Sequence, residues 1–379
     1  MVNKFIYIFL ILLFLSACKV ELDGCTDSYA CNYNPMSDYD DGSCVYPDPG
    51  YDCDGSCLDL FDPTNINLPS VPNNFPAPNI QDLFEEEVNL GRHLFYDPIL
   101  SSDNTVSCAS CHKQEYSFAD NNPFSFGVNG AIGNRHTPTL INIAFQSSFD
   151  WDGKSTSIAE QAVRPIFNEL ELHNNNWSEV IDRIIMSDLY MDLLCKAYGT
   201  NQIDSSHILS ALASFQQTLV SSNSRFDQWL NGQVMFTPEE IDGFNIYSTE
   251  RGDCFHCHPI GLFTDHIFHN NGLDLAPFLD LGRYNVTQNP LDEGSFKSPS
   301  LRNIEFSAPY MHDGRFATLE EVIDHYNFGG YDSPTVDPLM KYIGVGLLLT
   351  DQEKYNLKAF LLTLSDESFI NNPNFSNPF

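Results

Sequence analysis

Two five-residue segments of this chain carry paired cysteines followed directly by a histidine. Residues 108–112 read CASCH and residues 254–258 read CFHCH. Two thiols one helical turn apart can add across the two vinyl groups of a haem, and the imidazole of the next residue then reaches the iron. Zinc bound by C-x-x-C pairs is the competing interpretation, but a histidine directly after both pairs favours two covalently bound haems c. The predicted attachment cysteines and axial histidines are Cys108, Cys111, His112, Cys254, Cys257 and His258.

The N-terminus has the pattern of an export signal. Lys4 precedes an apolar run from Phe5 to Leu15, which is too short to span a bilayer as a mature helix. The run ends in LSAC at residues 15–18, which predicts a lipoprotein signal peptide over residues 1–18 and a lipid-carrying Cys18. An ordinary signal peptide cut near Ala17 is the alternative. Either way we expect the mature chain in the cell envelope of a Gram-negative bacterium, facing the periplasm or lying at the surface.

The charge of the chain limits its partners. Formal net charge is −33, from 51 acidic and 18 basic residues. Such a surface repels nucleic acid and anionic lipid, and it favours a basic redox protein as partner. We therefore expect no nucleic-acid partner.

Residues 19–60 differ in composition from the rest of the chain. They are rich in Asp and Gly and show almost no apolar periodicity, so in an oxidising compartment they predict a small disulfide-stapled module. An odd number of cysteines leaves one free or paired elsewhere, for example with Cys195. The carboxylates of residues 38–43 either bind calcium or form an acidic turn. A Pro- and Asn-rich linker is predicted over residues 61–79. The cysteines of the module are Cys25, Cys31, Cys44, Cys53 and Cys57.

The remainder predicts an all-α fold. A hydroxyl residue three positions before a glutamate recurs at Ser157, Thr237, Thr318 and Thr350, which is typical of helix N-termini. Strand-like alternation is scarce. We predict two helical domains over residues 80–235 and 236–370, with one C-x-x-C-H segment in each. Further helices are predicted over residues 81–95, 177–198 and 205–222.

Segments outside the C-x-x-C-H motifs carry a more specific pattern. Between the motifs stand WDG at 151–153, EQA at 160–162, PI at 165–166 and EL at 171–172, and after the second motif stand FKSPSLRN at 296–303 and APYMHDG at 308–314. In these segments the chain resembles the bacterial di-haem cytochrome c peroxidases and the related MauG oxidases. The resemblance covers roughly residues 80–365 and excludes the cysteine-rich module. It implies two cytochrome c-like haem domains, the first peroxidatic and the second for electron transfer.

The resemblance assigns roles to residues between the two haems. Glu171 lies at the position of the family's distal acid–base glutamate, although alone it would be an ordinary surface acid beside Glu169. Gln161, ten residues earlier, would be its neutral hydrogen-bonding partner, and Pro165 a steric wall. Trp151 would relay electrons between the haems, whereas a packed core tryptophan is the plainer interpretation.

The second haem needs another axial ligand. Fourteen residues beyond His312, the peroxidases place a methionine and MauG-type members a tyrosine, and this chain has Tyr326 there. A tyrosinate ligand implies a lower-potential haem than a methionine does. A packed or surface tyrosine is the alternative, with His325 or Met311 as substitute ligands.

A second departure from many family members concerns the first haem. Sixteen residues after His112, those members carry a histidine that blocks the iron until reduction, and this chain has Val128. Because valine cannot ligate iron, we expect a peroxide site that is open without activation. His136, eight residues further on, is a conceivable substitute.

The family's calcium ion is bound by an asparagine side chain and two backbone carbonyls. His136 stands at the asparagine position, and Ser307 and Pro309 stand at the carbonyl positions. Imidazole is a poor ligand for calcium, so this ion is the weakest of the implied cofactors.

The predicted function is a di-haem c-type peroxidase that reduces hydrogen peroxide to water with electrons from a small periplasmic redox protein. A MauG-like oxidase acting on a protein or organic substrate is the alternative within enzymes. A non-catalytic electron carrier is disfavoured, since carriers usually saturate both irons. An adhesive or matrix protein is disfavoured by the shortness of the cysteine-rich module.

Overall fold

The computed structural model describes residues 21–58, 61–72, 74–78 and 82–379. The chain divides into two compact units, residues 1–60 and 61–379. The predicted export signal and the predicted lipidated Cys18 lie outside the described residues.

The smaller unit is held by disulfides, as its composition predicts. Cys25 is bonded to Cys44 and Cys31 to Cys53, with Cα–Cα distances of 4.8 and 5.0 Å. Cys57 is disulfide-bonded as well, so the free thiol is excluded among the two alternatives for the odd cysteine. The acidic segment forms tight turns in which carboxylates accept backbone N–H groups, for example that of Gly42. Calcium binding at residues 38–43 stays a prediction.

The larger unit is rich in helices and carries two small sheets among its described residues. The helices are α1 Glu85–Tyr96, α2 Cys108–Cys111, α3 Ile158–Phe167, α4 Trp177–Ile185, α5 Asp188–Tyr198, α6 Ser205–Gln217, α7 Arg225–Leu230, α8 Pro238–Tyr247, α9 Tyr284–Thr287, α10 Leu319–Phe328, α11 Asp351–Leu362 and α12 Glu367–Ile370. Strands β1 Asn65–Ile66 and β2 Leu83–Phe84 pair antiparallel, and so do β3 Phe268–His269 and β4 Phe296–Lys297. None of the helices within the described ranges is long and apolar enough to cross a membrane.

The predicted helix starts are confirmed. Thr237, Thr318 and Thr350 each form a reciprocal capping box with the glutamate three residues later. Ser157 accepts the N–H of Glu160, whose carboxylate turns to Thr156 instead. The other helix boundaries differ from the prediction: residues 177–198 form two helices, and α6 ends at Gln217 rather than at residue 222.

The stretch predicted as a linker packs against the helical unit. Its strand β1 pairs with β2, just before α1. Phe75 is 9% exposed and meets the ring of Phe145 edge-on, with centroids 5.3 Å apart. The segment is therefore not a free linker, because its apolar side chains pack in a hydrophobic cluster of the larger unit.

Each half of the larger unit has its own core, built where two helices cross closely. In the first half α1 packs on α6, and a Cβ on Gly91 would lie 1.8 Å from the carbonyl oxygen of Ala211. In the second half α8 packs on α11, and a Cβ on Gly243 would lie 1.9 Å from the carbonyl oxygen of Asn356. Only glycine permits such an approach. The two crossings give the halves the same plan, with one C-x-x-C-H segment in each.

The cores do not divide cleanly at the predicted boundary near residue 236. Phe226 of α7, before the boundary, is buried in the second core. Phe369 of α12, close to the C-terminus, is buried in the first core. The two halves are therefore interleaved within one compact unit.

Candidate active site

The first C-x-x-C-H segment lies on a capped turn of helix. Ser107 and Ser110 form a reciprocal capping box around α2, which places Cys108 and Cys111 one turn apart. The Nδ1 of His112 lies 2.8 Å from the carbonyl oxygen of Phe118. A hydrogen bond donated from Nδ1 to a carbonyl leaves Nε2 as the metal-binding nitrogen. Burial lowers the pKa of His112, which favours the neutral imidazole that binds metal.

The second segment repeats this arrangement. The Nδ1 of His258 lies 2.9 Å from the carbonyl oxygen of Phe263, and burial lowers the pKa of this imidazole too. Ser298 donates its hydroxyl to the carbonyl of Cys257 at 2.9 Å, and Tyr247 donates to the carbonyl of His258. The segment is thus fixed by two side chains that lie outside it, Tyr247 before it and Ser298 after it.

Both segments open on one cavity of about 1010 Å³ within the larger unit. Cys108, Cys111, Cys254 and Cys257 line this cavity and are not disulfide-bonded. A zinc site would gather the thiols around one point, whereas here each pair sits with its own oriented imidazole. The donor set fits covalent haem at each segment.

Glu171 brings a carboxyl group into the same cavity. Its Oε1 accepts a hydrogen bond from the Nδ2 of Asn168 at 2.6 Å, and its backbone carbonyl accepts the N–H of Val128 at 2.8 Å. Burial raises the pKa of Glu171 above the usual range, a shift that the Asn168 bond partly offsets. Glu169, two residues earlier, is exposed. The structure thus distinguishes the two acids that the sequence leaves side by side.

Two other residues predicted for the first haem site line the same cavity as Glu171. They are Gln161 and Pro165 of α3. Val128 is 2% exposed and is not among the described residues that line it. The cavity wall therefore includes the amide of Gln161 and the ring of Pro165, and position 128 contributes no imidazole to it.

Trp151 lines the cavity that both C-x-x-C-H segments share. Its indole Nε1 donates to the carbonyl of His136 at 2.7 Å, and its own carbonyl accepts the N–H of Lys297 at 2.8 Å. The tryptophan is therefore held from the first half through its ring and from the second half through its backbone.

Tyr326 of α10 also reaches the cavity. Its hydroxyl oxygen accepts a hydrogen bond from the Nδ2 of Asn271 at 3.1 Å, and burial raises its pKa to about 12. The Sδ of Met311 lies 3.7 Å from the same amide nitrogen, so Tyr326 and Met311 are neighbours there. His325 is buried and is not among the described residues lining the cavity, so the geometry favours the other two as ligands.

Comparison with known proteins places these features in a family. Residues 85–235 match the family model described as di-haem cytochrome c peroxidase. The methylamine utilization protein MauG of Methylorubrum extorquens is 34% identical, with 83% of this chain and 90% of MauG covered. The chain belongs to the di-haem cytochrome c peroxidase and MauG family. Family membership implies covalently bound haem c and makes the chain an oxidoreductase.

Relatives in the family carry both kinds of name. The cytochrome c551 peroxidase of Nitrosomonas europaea is 33% identical, with 68% of this chain and 76% of the peroxidase covered. A solved structure of a MauG-like protein associated with microbial copper homeostasis superposes with a TM-score of 0.76 at 35% identity. That match covers 82% of this chain and 98% of the MauG-like chain. The comparisons therefore establish the family. They do not distinguish a cytochrome c peroxidase from a MauG-type oxidase.

The calcium position of the di-haem family is occupied here by an imidazole. His136 is 4% exposed, and its Nδ1 lies 3.1 Å from the carbonyl oxygen of Asn122. Burial lowers the pKa of His136, and hydrogen bonds to the carbonyls of Asn122 and Ser307 act in the opposite direction. The ring thus lies against the backbone carbonyls of Asn122 and Ser307. Calcium at Ser307 and Pro309 stays a prediction.

Sequence reasoning missed the residues that fix the WDG loop of this family member. Arg283 of the second half donates to the carbonyls of Asp152 and Gly153 at 2.7 and 2.9 Å. Arg135 bridges the carboxylates of Asp152 and Asp280, each at 2.7 Å. Gly153 has a φ of +66°, and a Cβ there would lie 2.2 Å from the ring of Phe268. The glycine was the only local signal, since the arginines act across long sequence separations.

Proposed function

We propose that this chain reduces hydrogen peroxide to water at the first haem site and receives electrons through the second. The balanced reaction is H2O2 + 2 e⁻ + 2 H⁺ → 2 H2O. Haem c supplies the iron and the redox chemistry when it is bound. The protein supplies orientation, a proton-transfer group and a route between the sites.

One observation carries the proposal: a half-buried carboxyl, Glu171, whose pKa is raised by desolvation, lies in the cavity that His112 lines. Splitting the O–O bond requires a group that takes a proton from the near oxygen and returns one to the leaving oxygen. A carboxyl whose pKa is raised by burial can do both. An electron carrier has no use for such a group.

The surroundings of Glu171 support the same role. Gln161 offers a neutral amide that hydrogen-bonds without competing for the proton. Val128 cannot ligate iron, and His136, which also lines the cavity, has its Nδ1 3.1 Å from the backbone carbonyl oxygen of Asn122. We therefore propose that peroxide enters without prior reduction of the protein.

The second haem site supplies the electrons in this proposal. His258 and Tyr326 would hold this haem, and Trp151 would lie on the electron route because it lines the cavity that both C-x-x-C-H segments share. A small redox protein is the donor. The net charge of −33 favours a donor with a basic docking face.

A MauG-like oxidation of a protein or organic substrate is the second candidate, favoured by Tyr326. A phenolate ligand stabilises ferric and higher states more than a thioether does. Tyr326→Met distinguishes the two candidates. If the chain is a peroxidase, the variant keeps donor-dependent peroxide turnover, whereas a MauG-like enzyme loses peroxide-dependent oxidation of an added phenol.

We further propose that the chain acts in the cell envelope, anchored by lipid on Cys18. The supporting observation is the lipobox-like sequence at residues 15–18. Partition of the expressed full-length chain into Triton X-114 tests the anchor. Recovery in the aqueous phase with a free N-terminus near Ala17 would contradict it.

The proposed peroxidase function is tested by spectra of the purified ferric protein before and after peroxide. We expect a high-spin component before addition and a reaction without added reductant. A wholly low-spin protein that reacts only after one-electron reduction would contradict an open first site.

A further inference from the structure

Lys297 is half-buried and places its ammonium group in the wall of the shared cavity. Its Nζ donates to the side-chain oxygen of Gln146 at 2.7 Å and to the carbonyl of Ser148 at 2.8 Å. Both acceptors are neutral oxygens. An ammonium group has three N–H donors, so two are used and one is left.

The charge of Lys297 lacks a carboxylate partner within the part of the chain that the structure describes. Asp150 is near enough to act on it electrostatically, but its Oδ2 accepts from Ser155 at 2.7 Å and lies 3.7 Å from the Nε of Arg164. Burial accordingly lowers the pKa of Lys297 to about 8. A cation that is partly removed from water is stabilised when an anion meets it in the cavity.

The haem that family membership implies carries such anions, its two propionate carboxylates. Ser298 directly follows Lys297 in the chain. Its hydroxyl donates to the carbonyl of Cys257 at 2.9 Å, and its Oγ lies 3.4 Å from the Nδ1 of His258. Lys297 is thus the sequence neighbour of a residue, Ser298, that is hydrogen-bonded to the second C-x-x-C-H segment. We propose that Lys297 binds a propionate of the haem attached at Cys254 and Cys257, an inference that rests on haem occupancy of the proposed site.

The same ammonium ties that haem to the relay segment. Gln146 and Ser148 belong to the chain segment that leads into Trp151, and the backbone N–H of Lys297 donates to Trp151. Lys297 is therefore a positioning residue, because it acts through the propionate and through the segment that holds the tryptophan. A cation at the propionate also favours the reduced haem, which carries one positive charge fewer.

Lys297→Gln is the informative change, because the amide keeps N–H donors for Gln146 and Ser148 but removes the charge. In a spectroelectrochemical titration of the di-haem protein, we expect reduction of the second haem to become at least tenfold less favourable. That factor corresponds to about 59 mV for a one-electron couple. Lys297→Arg keeps the charge and should restore most of the potential. Lys196→Met, which removes an exposed lysine paired with Asp192, is the matched control and should shift neither haem.

Three results would overturn the inference: unchanged potentials in Lys297→Gln, a shift confined to the first haem, or an equal shift in Lys196→Met. Lys297→Met provides a second neutral side chain, and the same downward shift is expected if the glutamine variant does not accumulate. The outcome is separate from the proposed reaction. A protein without peroxidase activity that shows the shift would refute the function and leave the inference standing.

Discussion

Replacing Glu171 with glutamine isolates the proton-transfer step, because the two side chains have nearly the same volume. The amide oxygen can still accept the hydrogen bond from Asn168, which is 2.6 Å long in the parent. The variant therefore keeps the geometry and loses only the titratable proton. General acid–base assistance is typically worth about 10²–10⁴-fold in rate. That loss corresponds to roughly 3–5 kcal/mol of transition-state stabilisation.

The pH dependence gives a second signature of the same group. Glu171 must be ionised to take the first proton, and burial raises its pKa. The rate at which the parent reacts with peroxide should therefore fall as pH falls through this raised pKa. In Glu171→Gln that part of the pH profile should be absent. An acid whose pKa is higher in the folded than in the unfolded chain loses folding stability as pH rises between the two values. Glutamine removes that loss, so the thermal midpoint of the variant at neutral pH should be unchanged or higher.

The assay is stopped-flow mixing of the ferric protein with peroxide, followed in the Soret band. Glu169→Gln is the matched control, since Glu169 is exposed and two residues away. A parent-like rate in Glu171→Gln, or an equal loss in Glu169→Gln, would refute the assignment of the proton transfer to Glu171.

Three further predictions address the haems, the gate and the fold. Replacing Cys254 and Cys257 with alanine should lower the intact mass by one haem and leave the first haem attached, whereas a colourless parent protein would contradict covalent haem altogether. Val128→His should create a requirement for prior reduction that the parent lacks, and equal activation behaviour in a peroxide assay would show that this loop is not the gate. Gly243→Ala should lower the free energy of unfolding by about 1–3 kcal/mol, because the new methyl group meets a backbone carbonyl of α11. Gly133→Ala, whose Cβ meets nothing closer than 3.6 Å, is the control, and equal denaturation midpoints for the two variants would contradict the close crossing.

Features set by local sequence were predictable. The reciprocal caps at Thr237, Thr318 and Thr350 depend on residues three apart, and the structure has them as expected. The C-x-x-C-H spacing likewise predicts which thiols and which imidazole lie together, and the structure has each pair of thiols beside its own histidine at the shared cavity. The break between α4 and α5 was not predictable in this way, because neither Met186 nor Ser187 is a residue that strongly ends a helix.

Features that depend on distant residues were not predictable. The place of Phe75 in the core depends on Phe145, and the environment of Lys297 depends on a segment about 150 residues earlier in the chain. Glu171 is an intermediate case. Its position was inferred from family resemblance, but its separation from exposed Glu169 follows from the turn that ends α3 and from the N–H of Val128.

The most direct test of the central claim is the stoichiometry of peroxide consumption by the di-haem protein with a reduced basic cytochrome c as donor. Peroxide is measured with an electrode and donor oxidation by absorbance, at low ionic strength. The proposed function predicts steady turnover with two donor molecules oxidised per peroxide, and no lag for reductive activation. Peroxide that disappears without donor oxidation, or that is not consumed at all, would contradict it.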